Sequence, residues 1–232
     1  MDMGIRGRKA IVEAASKGLG KGCAMALAEE GCDLVINART ASELEATADE
    51  IRKAHQVNVT AVPGDITTRE VRDAILKACP NPDILVTNAG GPAPGNFRTD
   101  TRERWLAALD AQLLSHVEMI TAVIDGMAAR MALTGFSSTI CREGAPHNVT
   151  INGLLPGPFD TDRLRSNFEH GAKVTGKPQD ELAEARRNEN PSKRFGTAEE
   201  FGATCAFLCS VHAGFITGQN ILMDGGHFPA NI

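Results

Sequence analysis

The feature that most constrains this chain is its alternation, from the first residues, of short unbroken apolar runs with segments of helical spacing. The apolar runs lie at Lys9–Val12, Leu34–Ile36, Val57–Val62 and Ile84–Val86, with helical patterns at Gly18–Gly31, Ala41–Ala54 and Arg69–Ala78 between them. A strand that is apolar at every position, rather than at every second one, is buried on both faces, as in a parallel sheet covered by helices on each side. Parallel neighbours need a crossover connection, and the intervening helices supply it. The pattern therefore predicts an α/β fold built on a doubly wound parallel sheet.

The 232 residues fit one domain, 1–232, and their 42% hydrophobic and 23% charged content is that of a chain with a sizeable core. No repeat or low-complexity segment divides it. A formal net charge of −5 gives no basic field, which excludes nucleic acid and an anionic membrane as main partners and leaves small molecules or other proteins. The six cysteines form no CxxC and read as reduced core thiols. Cys205 and Cys209 are one helical turn apart with no histidine at ligand spacing, so no metal site is expected. No apolar stretch reads as a bilayer span, and MDMGIRGRK lacks the apolar core of a signal peptide, so the expected location is the cytoplasm.

The alternation fails after the fourth strand. A long helix is predicted over Thr101–Arg130, a second over Met131–Glu143, and a strand over Val149–Leu155. With no turn signal at Arg130-Met131 these helices would fuse into a rod of about 40 residues, roughly 60 Å at 1.5 Å per residue, too long for a domain of this size. A central strand is expected to be missing there. Beyond lie a polar helical excursion over Asp160–Pro191, a helix over Ala198–Ser210 and a strand over Asn220–Met223.

The first strand runs into Glu13-Ala14-Ala15-Ser16-Lys17-Gly18-Leu19-Gly20, which opens a helix. Glycines at such a turn let the backbone approach a pyrophosphate, whose charge meets the amides and positive dipole of the helix N-terminus. Near the end of the second strand stands Asn37-Ala38-Arg39, without the carboxylate that would read an NAD ribose. A guanidinium there, with Lys17 in the glycine turn, suits a 2′-phosphate, so NADPH should bind better than NADH.

With Asn88-Ala89-Gly90 after the fourth strand, Pro156-Gly157 after the next, Ile216-Thr217-Gly218-Gln219 and Asp224-Gly225-Gly226, the chain resembles the short-chain dehydrogenase/reductase family from Gly7 to Gly226. The resemblance implies a Rossmann sheet and NADP held by Ala14, Ser16, Lys17, Gly18, Leu19, Gly20 and Arg39. Further contacts come from Asp65 and Ile66 at the adenine, Asn88, Ala89 and Gly90 at the ribose, and Pro156, Gly157 and Thr161 at the carboxamide. It makes 160–191 a helical substrate lid and Gly91-Pro92-Ala93-Pro94-Gly95 a stiff loop at the pocket mouth. Glu13 and Ala14 depart from the family's Thr-Gly and add a carboxylate and a methyl near the diphosphate.

The family reaction is hydride transfer between nicotinamide and a ketone or secondary alcohol, with a tyrosine as acid/base, supported by a lysine, a serine and an asparagine that holds a water. Gln112 stands at the asparagine position. The other three have no counterpart, and the chain contains no tyrosine. The shortfall between Asn88 and Pro156, roughly two dozen residues against the family spacing, places them in a segment absent between Arg130 and Met131. The reading is an NADP(H)-dependent oxidoreductase similar to bacterial 3-oxoacyl-(acyl-carrier-protein) reductases, acting on a carbonyl or alcohol, with a 3-oxoacyl thioester among the candidate substrates. The alternative is a non-catalytic dinucleotide-binding sensor or scaffold. Family habit and the apolar Phe207, Phe215, Ile221 and Phe228 near the end imply a homo-oligomer, dimer or tetramer.

Overall fold

The computed structural model describes residues 2–91, 98–127 and 145–228. Its first half is the predicted alternation. Strand β1 (Lys9–Val12), helix α1 (Gly18–Glu29), β2 (Asp33–Ala38), α2 (Ala41–Ala54), β3 (Val59–Pro63), α3 (Arg69–Ala78) and β4 (Ile84–Val86) follow one another. They form a parallel sheet in the order β3-β2-β1-β4. Ile11 pairs with Val35 on one side and Leu85 on the other, which fixes the register at the centre.

The two faces of this sheet hold separate clusters. Ala10, Val12, Leu34 and Ile36 meet α1, α2 and a C-terminal helix in one; Ile11 and Val35 meet Ile75, Met119 and Val123 in the other. This is the two-residue alternation of a strand with both faces covered.

The long predicted helix is present to Met127 but is interrupted. Helix α4 (Arg102–Leu109) passes into a π turn (Asp110–Leu114), closed by Ser115 N donating to Asp110 O, and then into α5 (Ser115–Met127). The stretch Arg102–Val123 has the length and mean hydropathy, 1.2, of a membrane span, contrary to the sequence expectation of none. Its Ser115, His116, Met119 and Val123 are buried in the body of the domain, while Trp105, Leu106, Leu109 and Leu114 are about half exposed. The expected helix over Met131–Glu143, the Arg130-Met131 junction and most of the Gly91–Gly95 loop lie outside the described residues.

The second half holds β5 (Gly153–Pro156), α6 (Asp162–Thr175), α7 (Gln179–Glu189), α8 (Ala198–Leu208) and β6 (Asn220–Met223). Strand β5 is shorter than the Val149–Leu155 run expected. Asn152 donates from Nδ2 to Ile216 O and accepts from Gln219 N, and Ile151 N donates to Thr217 Oγ1, so side chains replace the ladder there. Among the described residues β5 pairs only with β6, in parallel, as a sheet of its own. Among the described residues no strand joins β4 to β5.

Helix α8 ties the halves together by crossing α1 at close range. A Cβ on Gly202 would lie 2.2 Å from Gly22 O, and one on Gly22 would lie 2.2 Å from Ala198 O. The same crossing brings Cys23 to Cys205 and Cys209, far from it in sequence, and the close packing of these thiols out of solvent pushes Cys205 and Cys209 well above their usual range. They are free thiols, as are Cys32 and Cys79.

Candidate functional site

At the carboxyl ends of β1, β2, β3 and β4 lies a cleft of about 1060 Å³. That is the edge at which open α/β sheets bind their ligands. Its floor is the turn between β1 and α1. Two backbone bonds and one from a side chain hold that turn: Glu13 N donates to Val86 O, Ala15 N to Asn37 O, and Thr47 Oγ1 to Ser16 O. Ala14 sits at φ 49°, in the left-handed region where a glycine would be unstrained. A Cβ on Gly20 would be 2.3 Å from Ala14 O and 2.9 Å from Asn88 Nδ2, so only glycine lets the helix start approach the turn this closely.

Ala14, Ser16, Lys17, Gly18, Leu19, Arg39, Asp65, Ile66, Asn88, Ala89, Gly90 and Thr161 all line the cleft. Thr161 caps α6 by accepting from Leu164 N, and its Cγ2 stands 3.6 Å from where a Gly18 Cβ would be, so α6 begins directly over the glycine turn. Asp65 Oδ1 accepts from Thr67 N and Oγ1, which holds the carboxyl below its ordinary range.

The remaining expected residues are not on the cleft wall. Gly20 is buried behind it, against Ala14 and Asn88. Pro156 is exposed, and Gly157 is taken up by β6: its N donates to Met223 O, and a Cβ on it would lie 2.5 Å from Asp224 Cβ. Gln112, in the π turn, donates from Nε2 to Gly90 O at 3.0 Å and thereby braces the Asn88–Gly90 segment from behind. Its position in a π turn fits the frequent occurrence of such turns at functional sites.

Three features were missed in the sequence. Glu43, in the first turn of α2, lines the cleft and pairs with Lys17 at 3.5 Å, an exposed contact worth little energetically. Only the closure of α2 onto the glycine turn brings it there. Arg163 of α6 reaches across the cleft and fills the space beside Gly91. Glu13, expected to crowd a diphosphate with charge, instead points away from the cleft and is completely buried, 3.6 Å from His116 Nε2. Burial pushes its carboxyl up to about 8 and pushes the His116 imidazole down. At neutral pH it is an uncharged acid and repels no phosphate.

A volume of this size, at the top of the ~300–1,000 Å³ range of small-molecule sites, together with a glycine turn at a helix N-terminus and a guanidinium at the end of β2, fits a phosphorylated dinucleotide. Fold and cleft thus define an α/β protein with a site of the dinucleotide-binding kind.

Comparison with known proteins gives the family. The short chain dehydrogenase pattern matches residues 8–131, and the enoyl-(acyl carrier protein) reductase pattern matches residues 126–227. The chain is 31% identical to the NADPH-dependent reductase BacG of Bacillus subtilis (strain 168) over 251 aligned positions, 94% of this chain and 97% of that protein. It is 28% identical to the 3-oxoacyl-(acyl-carrier-protein) reductase FabG of Vibrio cholerae serotype O1, covering 97% and 99%. The solved L-sorbose reductase from Gluconobacter frateurii, complexed with NADPH and L-sorbose, superposes with a TM-score of 0.91 at 25% identity over all of both chains. The chain belongs to the short-chain dehydrogenase family and is an oxidoreductase of that type.

Proposed function

We propose that this protein is an NADP(H)-dependent oxidoreductase that interconverts a ketone and a secondary alcohol by hydride transfer. The observation that carries the reading is the cleft, where the glycine turn, Arg39, Asp65 and Asn88 meet at one edge of the sheet. NADP supplies the hydride acceptor or donor. The chain's own residues would bind and orient it: amides of the Ser16–Gly20 turn would meet the diphosphate, Arg39 and Lys17 the 2′-phosphate, and Thr161 would close the far end. Gln112 fixes Gly90 and with it the segment under the ribose. The NADPH dependence printed for BacG and the NADPH in the sorbose reductase structure support this choice of cofactor. FabG supports a 3-oxoacyl thioester as the substrate to try first.

The active polypeptide carries a further segment between Arg130 and Met131, bearing the serine, tyrosine and lysine of the reaction. Support comes from the separate β5-β6 sheet and from relatives that align over 251 positions against the chain's 232 residues. The lack of any tyrosine favours a second reading, a non-catalytic dinucleotide-binding sensor or scaffold. Peptide sequencing across Arg130-Met131 in the protein as the cell makes it, with an assay of ketone-dependent NADPH oxidation, separates the two. An inserted segment with activity supports the enzyme; a direct Arg130-Met131 bond without activity supports the scaffold.

A cytoplasmic homo-oligomer completes the proposal. Trp105, Leu106, Leu109 and Leu114 leave the α4 region about half exposed, and Phe215 and Phe228 are exposed near the C-terminus. Apolar surface of this kind suits a contact with a second copy. Light scattering at micromolar concentration is expected to give a mass above that of the monomer, and a monomer mass would contradict it.

A further inference from the structure

Glu13 and His116 stand apart from the rest of the buried polar groups. Both are buried; Glu13 Oε1 has no hydrogen-bond partner among the described residues, and the His116 ring nitrogens meet none at full hydrogen-bond geometry, only the backbones of Asn88 and Gln112 nearby. An isolated charge in such a place is costly, and two groups 3.6 Å apart with one proton between them avoid that cost by staying neutral together. The elements around the pair are those that shape the cleft. Glu13 is joined directly to Ala14 of the glycine turn. From β4, Asn88 N donates to Glu13 Oε2 at 3.4 Å. From the helix behind, His116 lies one turn after Gln112, whose side chain holds Gly90 O. From α3 comes Arg72, a charged group whose field favours the ionised form of Glu13. Its guanidinium is paired with Glu118 of α5 and donates to Ile66 O at 2.8 Å.

We propose that Glu13 and His116 form a proton-sharing pair that sets the spacing between the glycine turn and the Asn88–Gly90 segment, so that NADP binding is coupled to protonation of the pair. The inference rests on NADP being the cofactor. With the proton present, Glu13 Oε2 accepts from Asn88 while the acid faces the imidazole, and the two walls of the cleft are held at a fixed separation. With the proton lost, a carboxylate remains with one long backbone bond and the distant Arg72, and it is satisfied only by drawing Asn88 inward or admitting water. Either change moves Asn88, whose amide packs against Gly20, and disturbs the cleft. By linkage, bound NADP in turn holds the proton more tightly. These are positioning residues; neither reaches the cleft surface.

The test is a fluorescence titration of NADPH at several pH values between about 7 and 9.5, where the cofactor's own 2′-phosphate stays ionised. Wild type is expected to lose affinity as pH rises, by about fivefold or more, the usual scale of coupling between sites. Glu13→Gln, uncharged throughout, is expected to show a flat profile. As a readout independent of the variant's folding, carboxyl carbon NMR of wild-type Glu13 should show titration well above the ordinary glutamate range and a further rise with NADPH bound. Parallel profiles for the two proteins, or a Glu13 carboxyl that titrates normally or ignores NADPH, would overturn the proposal. Failure of NADPH to bind either protein at any pH would overturn the cofactor reading and this inference with it.

Discussion

Ala10, Ile11 and Val12 of β1 and Leu34 through Ala38 of β2 are buried, whereas no residue of β5 or β6 is fully buried. The two sheets are built from similar apolar residues; they differ in their neighbours. Each central strand of the four-stranded sheet has a strand on both sides, while β5 and β6 have one each among the described residues. The contrast separates two regions of the molecule. The cleft lies at the edge of the four-stranded sheet, while β5 and β6 lie apart from it among the described residues.

If the first region binds NADP as described, the largest effect should follow Arg39→Asp. Replacing a charge-assisted partner of the 2′-phosphate with a carboxylate removes about 1.5–3 kcal/mol, so NADPH affinity should fall roughly tenfold to a hundredfold while NADH changes little. Unchanged preference would detach Arg39 from the cofactor. The next effect tests the joint between the regions. Gly202→Ala places a methyl against Gly22 O, and the helices must move apart, at a cost of about 1–3 kcal/mol in urea unfolding. No change would mean that α8 rides loosely on α1.

A smaller loss belongs to the second region alone. Thr197 and Glu200 form a capping box at the start of α8, and Thr197→Ala should cost about 1 kcal/mol. A further difference lies in the pH slope of stability. Glu13, raised in the folded protein, binds a proton there that the unfolded chain has lost, so its contribution to stability falls as pH rises from about 4.5 to about 8. His116, lowered, works the other way and gives stability as pH rises to about 6.5. The two offset each other below that point, and a decline from about 6.5 to about 8 remains. Denaturant midpoints across this range should decline in wild type and stay level in Glu13→Gln.

The regions also differ in how legible they were. Strands β1 and β4 and helices α2 and α3 follow from unbroken apolar runs and 3.6-residue spacing, because both faces of that sheet are covered and nothing competes with the local pattern. Arg39, Asp65 and Asn88 were legible as strand-end residues, since one edge of a parallel sheet collects all strand ends. The π turn at Asp110–Leu114 left no mark, for helical periodicity does not register one extra residue. Glu13 was misread for a related reason. Its position in the chain is beside the diphosphate, but its side chain points into the core, and only the fold brings His116 to it. Gly157 was placed at the carboxamide by its motif, while its packing against Asp224 depends on β6, more than sixty residues on.

The central claim is that the four-stranded sheet with its glycine turn and Arg39 is a working NADP site in this chain as it stands. The most direct measurement is calorimetric titration of the 232-residue protein with NADPH and with NADH under the same conditions. NADPH is expected to bind more tightly, by tenfold or more, as a charge-assisted contact to the 2′-phosphate requires. Equal or tighter binding of NADH, or no binding of NADPH, would contradict it.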